Sequence, residues 1–155
     1  MRPLRVIKRI RKTFNFNRNK QTAESATRSR TMRAIKSRDT QPEIAVQQLL
    51  RALGFRYRKH RKELPGSPDV VFSSLKKVIF VNGCFWHGHK CARGNRIPKT
   101  NRRYWVRKIA RNVERDRKNV IDLRKLGWKA LVVWECQIRR TPALTSKLKR
   151  FLNSK

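Results

Sequence analysis

The chain has 155 residues, about one domain's length, with 42 Lys and Arg against 9 Asp and Glu, a formal net charge of +33 and 38% hydrophobic residues. That charge resists compaction unless a polyanion offsets it, so nucleic acid is the expected partner. Apolar runs such as Val78–Val81 exclude a wholly disordered chain, and none approaches the roughly 20 residues of a membrane span.

Residues 1–20 hold eight Lys and Arg and no acid, and read as a basic arm, here bounded at 1–21. Leu4, Ile7 and Ile10 fall at helical spacing within it. It lacks the long apolar stretch of a secretory signal; an organelle transit peptide has a similar composition, but a cytoplasmic, nucleoid-associated protein is expected. Thr40-Gln41-Pro42-Glu43 has the form of a capping box, and Val46, Leu49, Leu50 and Leu53 follow at helical spacing before Gly54. Phe55 to His60 alternates like a strand. Leu64–Pro68 reads as a turn, and Asp69–Phe72 and Lys77–Val81 as two strands.

Residues 82–102 are irregular. A second helix is expected over 103–126, with Val106, Ile109, Ala110, Val113, Val120 and Leu123 on its apolar side. Trp128–Trp134 reads as a strand buried on both faces, and Thr141-Pro142 opens a last helix. This order predicts an α/β fold, a three-layer sandwich with a mixed central sheet. The arm is followed by a domain over 22–140 and a C-terminal helix over 141–155.

Three cysteines without a secretory signal point to a reducing compartment rather than a disulfide scaffold. Cys84, His87, His89 and Cys91 fall within eight residues, and Cys136 follows the last strand. Cys84, His89, Cys91 and Cys136 supply the four donors of a closed, structural Zn2+ site; by spacing alone His87 could replace His89. Acids are scarce, so any acid near phosphate is a candidate metal ligand. Pro68-Asp69 resembles the Mg2+-holding start of a strand in nucleases of the PD-(D/E)xK kind, although no acid-x-Lys follows it. His60, among Arg and Lys, is expected to be solvated, and Trp128 and Trp134 to be core.

Five blocks together carry a closer resemblance. Thr27–Thr40, Leu64–Val71, Val78–Cys91, Asn112–Asp116 and Gly127–Cys136 are similar, in order, to the very-short-patch mismatch repair (Vsr) endonuclease family. The resemblance implies a restriction-endonuclease-like fold with a structural zinc, and Mg2+-dependent nicking of double-stranded DNA 5′ to the T of a T:G mismatch. It implies Asp69 and the Val81 carbonyl as Mg2+ ligands and His87 as general base or water-orienting group. Glu43 would support that histidine, and Asp116 would hold metal-bound water. Phe85, Trp86 and Trp105 would be the aromatic wedge entering the duplex, where unstacking costs least at a mismatch. The family commonly has His where this chain has Asn82, which can hydrogen-bond water but cannot titrate near neutral pH. A monomer is expected, with mismatch-repair proteins such as MutL as candidate partners. Two other readings stand beside this one: a nuclease of the same fold with another target, of restriction or homing type, and a zinc-stabilised DNA-binding module without catalysis.

Overall fold

The computed structural model describes residues 39–154; the basic arm and the block Thr27–Arg38 lie outside the described residues. The first helix, α1 (Gln41–Ala52), starts where the capping signal falls. Thr40 does not cap a backbone N–H there. Its hydroxyl instead donates to Glu43 Oε1 at 2.7 Å, while the Asp39 N–H donates to Glu43 Oε2 at 2.8 Å. The buried face of α1 carries Glu43, Val46, Gln47 and Leu50. It is thus rotated from the expected stripe, and Leu49 and Leu53 are only half-buried. Gly54 ends the helix with φ of +79°, its N–H on the Arg51 carbonyl and that of Phe55 on Leu50, a Schellman closure.

Four strands form one sheet in the order β1–β2–β3–β4. β1 is only Arg58–Lys59, shorter than the expected Phe55–His60, because His60 turns into the left-handed region at φ +48°. Phe55 and Tyr57 pack edge-on against Phe72 instead, each with its ring centroid 6.2 Å away. β2 (Val70–Phe72) pairs antiparallel with β1 and with β3 (Lys77–Asn82), across a 3-10 turn at Ser73–Leu75. β3 pairs in parallel with β4 (Lys129–Trp134), from Lys77 opposite Lys129 to Asn82 opposite Trp134. The crossover between them contains α2 (Arg102–Lys125).

Side chains alternate across this sheet. Val70, Phe72, Ile79, Val81 and Val133 face Val46 and Leu50 of α1, together with Leu144, Leu148 and Leu152 of the last helix, α4 (Thr141–Asn153). Val71 and Val78 face Leu123 of α2 on the other side. Helices therefore cover both faces of a mixed sheet. Full burial of each aliphatic side chain contributes about 1.5–3 kcal/mol. Lys77 is also buried: its ammonium donates to the carbonyl of Leu152 at 3.0 Å and to that of Ser154, tying the end of α4 to β3.

Two expectations are corrected. β4 packs on both faces but is only partly buried: Leu131 and Ala130 are half-buried against opposite cores, Val133 is buried and Lys129 is exposed, in keeping with an edge strand. α2 buries only Leu123, and Val106, Val113 and Ile121 are exposed. Its C-terminal turns pack on the sheet, whereas its earlier turns carry groups that meet the 82–102 segment.

Candidate active site

The turn before β2 is closely packed. Pro68 is fully buried, and Gly66 has φ of +77° with any added Cβ only 2.7 Å from Asn119 Nδ2 on α2, so only glycine fits. This turn delivers Asp69 to the point where β2 and β3 part, beyond the pair Val70–Ile79. There the Val81 N–H donates to Asp69 Oδ2 at 2.7 Å rather than to a strand. Burial pushes the Asp69 carboxyl up to about 6; the Glu43 charge pushes the same way, against the Val81 hydrogen bond and the charges of His60 and His87. Asp69, Glu43, His60 and His87 are therefore electrostatic neighbours.

His87 follows β3 in a turn closed by its N–H on the Gly83 carbonyl at 3.2 Å. Its Nδ1 is bonded to Asp116 of α2, leaving Nε2 for another partner. Glu43 has its hydrogen bonds with Asp39 and Thr40, so the acid bonded to His87 is Asp116. Asn82 is buried at the end of β3. A cavity of about 730 Å³ beside His87 is lined by Asn82, Asp116, Trp134 and the guanidinium-bearing Arg117 and Arg124, among others.

The Cys/His ambiguity has a geometric answer: His89, and not His87, stands with Cys84, Cys91 and Cys136, their ligand atoms all within 4.8 Å of one another. His89 stacks on Trp134 at 4.3 Å, and its Nδ1 lies 3.6 Å from Cys136 Sγ. Cys136 is delivered by the short helix α3 (Glu135–Ile138) directly after β4. Burial pushes the Cys84 thiol up to about 12. Cys91 is lowered to about 6, first by its hydrogen bond with His89 and then by the Gly94 N–H, which donates to its sulfur at 3.4 Å. Arg93 pairs with Glu135 at 2.7 Å and pins the same loop to α3.

Phe85, Trp86 and Trp105 form a half-buried trio of edge-on rings with centroids 5.1–5.9 Å apart. The Asn112 amide donates to the Trp86 carbonyl at 2.9 Å and holds the loop to α2. Sequence reasoning missed two members of this cluster. Tyr104 meets Trp105 at 5.2 Å, and the Lys108 ammonium lies over the rings of Trp86, Tyr104 and Trp105 at 5.5–5.9 Å. The signal was the helical spacing of Tyr104, Trp105 and Lys108. His60 was also missed. It is not solvated: its side chain is 17% exposed and points toward Asp39.

An α/β fold with a backbone-held acid where two strands diverge, on a chain of net charge +33, has the parts that an endonuclease acting on DNA requires. A family model described as DNA mismatch endonuclease Vsr matches residues 20–93. The type II nicking enzyme V.NmeAIP of Neisseria meningitidis is 44% identical over 128 residues, covering 83% of this chain and 91% of that protein. V.XorIIP, a type II nicking enzyme of Xanthomonas oryzae pv. oryzae, is 45% identical over 122 residues, covering 79% and 89%. DNA mismatch endonuclease Vsr of Escherichia coli is 44% identical over 124 residues, covering 80% and 79%. The chain belongs to the Vsr family, and with it goes a restriction-endonuclease-like fold. Membership in a family of endonucleases sets aside the reading as a binding module without catalysis.

Proposed function

We propose that this endonuclease nicks double-stranded DNA 5′ to the T of a T:G mismatch, with Mg2+ at Asp69. The observation that carries the reading is the Asp69–Val81 hydrogen bond at the strand divergence, with His87 and its Asp116 partner close by. It is supported by the similarity to Escherichia coli Vsr, whose name is that of a mismatch endonuclease.

The residues fit a divalent cation. Asp69 is a carboxylate that burial makes costly to ionise, and no ion pair relieves it among the described residues. Oδ2 takes the Val81 N–H, which leaves Oδ1 for a cation. In a strand the N–H and C=O of one residue lie along the same edge, so the Val81 carbonyl would be available as a second ligand beside Asp69. When bound there, Mg2+ would position the scissile phosphate and stabilise the charge developing on it.

His87 would act as general base toward the attacking water through Nε2. Asp116 would hold the ring in the tautomer that frees that nitrogen, a role assigned in place of holding water. Glu43 would act through the field at Asp69 rather than by touching His87, and Asn82 would hydrogen-bond water in the site. Phe85, Trp86 and Trp105 would enter the base stack, where a wobble pair resists least. The four-donor cluster of Cys84, His89, Cys91 and Cys136 suits Zn2+, which would fix the loop bearing His87 to the end of β4.

Cleavage of a strand-labelled duplex panel tests this. A T:G duplex is expected to be nicked in Mg2+ and spared without it, and Asp69→Ala is expected to bind but not cut. Equal cleavage of T:G and matched duplexes would favour the second reading, a nuclease with another target. Its motivating observation is Asn82, buried beside His87 where the family commonly has His.

A further inference from the structure

We propose that Lys90, Arg117 and Arg124 form a phosphate-binding rim that holds the nicked strand beside the reacting phosphate, over an apolar floor that takes its deoxyribose. The proposal rests on the reading of His87 as the base at that phosphate. The rim borders the cavity of about 730 Å³ that runs from His87 between α2 and the edge strand β4. That volume lies in the range of sites that hold small organic ligands, and suits a nucleotide or two of one strand.

Three observations point to this ligand. The cations converge and are uncompensated. Lys90 comes from the loop after His87, Arg117 and Arg124 come from α2, and none of them has an ion pair or hydrogen bond among the described residues. The one acid that lines the cavity, Asp116, is already taken by His87 and, at 3.9 Å, by Arg115. Three such cations on one cavity repel each other, a cost that a polyanion removes. Next, β3 beyond its buried Lys77 carries no cation as far as Asn82, so charge for a phosphate at the strand ends has to come from elsewhere. α2 supplies it: Arg117 directly follows the Asp116 that holds His87, and Arg124 lies two turns on, about 10.5 Å along the helix, which spreads the pair over successive phosphates. Finally, Val113 and Ile121 of α2 are 44% and 42% exposed and line the cavity with Val132 and Trp134 of β4. Apolar surface under a cationic rim fits a ligand that alternates sugar and phosphate, and inorganic phosphate alone has no use for it.

An acidic, amphipathic protein segment shares this chemistry. The DNA strand is favoured because Asn82 and His87 line the same cavity, so its occupant is continuous with the strand being cut. Arginine suits the task, since its guanidinium stays charged and forks onto phosphate oxygens.

The test places single neutral methylphosphonates along the nicked strand of whichever duplex the full-length protein cuts, mismatched or not, so failure of the T:G reading leaves it intact. Failure of the His87 reading shows separately, as unimpaired nicking by His87→Ala. Binding is measured without divalent ions, which removes cleavage from the readout. For the parent protein, a methylphosphonate within a few nucleotides of the nick is expected to weaken binding about fivefold, the worth of one exposed ion pair. Arg117→Met is expected to weaken binding of the all-phosphate duplex by about the same factor and to make one of those positions indifferent to the substitution. Arg124→Met is expected to do the same at a neighbouring position, a coupling that misfolding cannot produce. Lys118→Met, on α2 but outside the cavity, is expected to leave both positions sensitive. Independent, multiplying losses at every position, or coupling only far from the nick, would overturn the proposal and leave the groove to an acidic protein segment.

Discussion

Asp69 accepts the backbone N–H of Val81 at 2.7 Å across the gap where β2 and β3 part, while burial holds its carboxyl near 6. The folded state thus binds a proton at Asp69 more tightly than the unfolded chain, whose ordinary value is 3.8. For a raised acid, the linked stability is fully present below that ordinary value and is lost as pH rises through about 6. Without divalent ions, Asp69→Asn is therefore expected to stabilise the fold at pH 8 by up to about 3 kcal/mol, with Asn Oδ1 still accepting the Val81 N–H. The gain is expected to vanish below pH 4. Urea unfolding of both proteins across pH measures it, and a constant difference from pH 4 to 8 refutes it.

The His87–Asp116 bond predicts coupled losses of rate. Asp116→Asn presents an amide that can donate to Nδ1 and favour the wrong tautomer. Single-turnover nicking is expected to fall by about 10²–10⁴ for His87→Ala, with DNA affinity little changed. Asp116→Asn is expected to fall by a smaller factor, and the double variant by little more than His87→Ala alone. Independent, multiplying losses would show that Asp116 does not act through His87.

Local chemistry was the readable part of this chain. Cys84, His89, Cys91 and Cys136 declare themselves because four soft donors have few other uses in so basic a sequence, and the Pro68-Asp69 turn marks its own strand. What could not be read depends on which surface each element meets. The apolar residues of α2 keep helical spacing, yet Ile109 and Val113 meet the loop at Gly88 rather than a core. The Trp128–Trp134 run looked doubly buried because hydrophobicity does not encode edge position. His60 looked idle because its neighbours Asp39 and Glu43 reach it only through the packing of α1 and β1.

The aromatic trio predicts how the mismatch is selected. Removing one stacking ring costs about 1–3 kcal/mol per base contact, or about 5- to 150-fold. Trp105→Ala and Phe85→Ala are expected to weaken T:G duplex binding by that range and matched-duplex binding by much less. Lys108→Met, which keeps the stem over the rings but removes the charge, is expected to steepen neither effect and to lower the salt dependence of binding by about one phosphate contact. Binding isotherms at several salt concentrations on both duplexes separate the ring losses from the charge loss. Equal losses on matched and mismatched DNA would rule out the wedge.

The four-donor cluster makes the last prediction. Cys84 is buried with its thiol pushed up to about 12, so without a cation it holds its proton. Loading a cation would deprotonate it and release protons. Protein purified without chelator is expected to hold about one Zn2+ per chain, bound more weakly as pH falls. Cys136→Ser removes the donor that α3 contributes to the cluster, leaving the Arg93–Glu135 pair between the loop and α3. That variant is expected to lose zinc and most nicking, because His87 sits two residues before His89 on the segment that the cluster anchors. Its sheet, whose core lies among Val46, Ile79, Val133 and Leu148, is expected to keep its far-UV circular dichroism. Full nicking by a zinc-free Cys136→Ser protein would show that the cluster does not position His87.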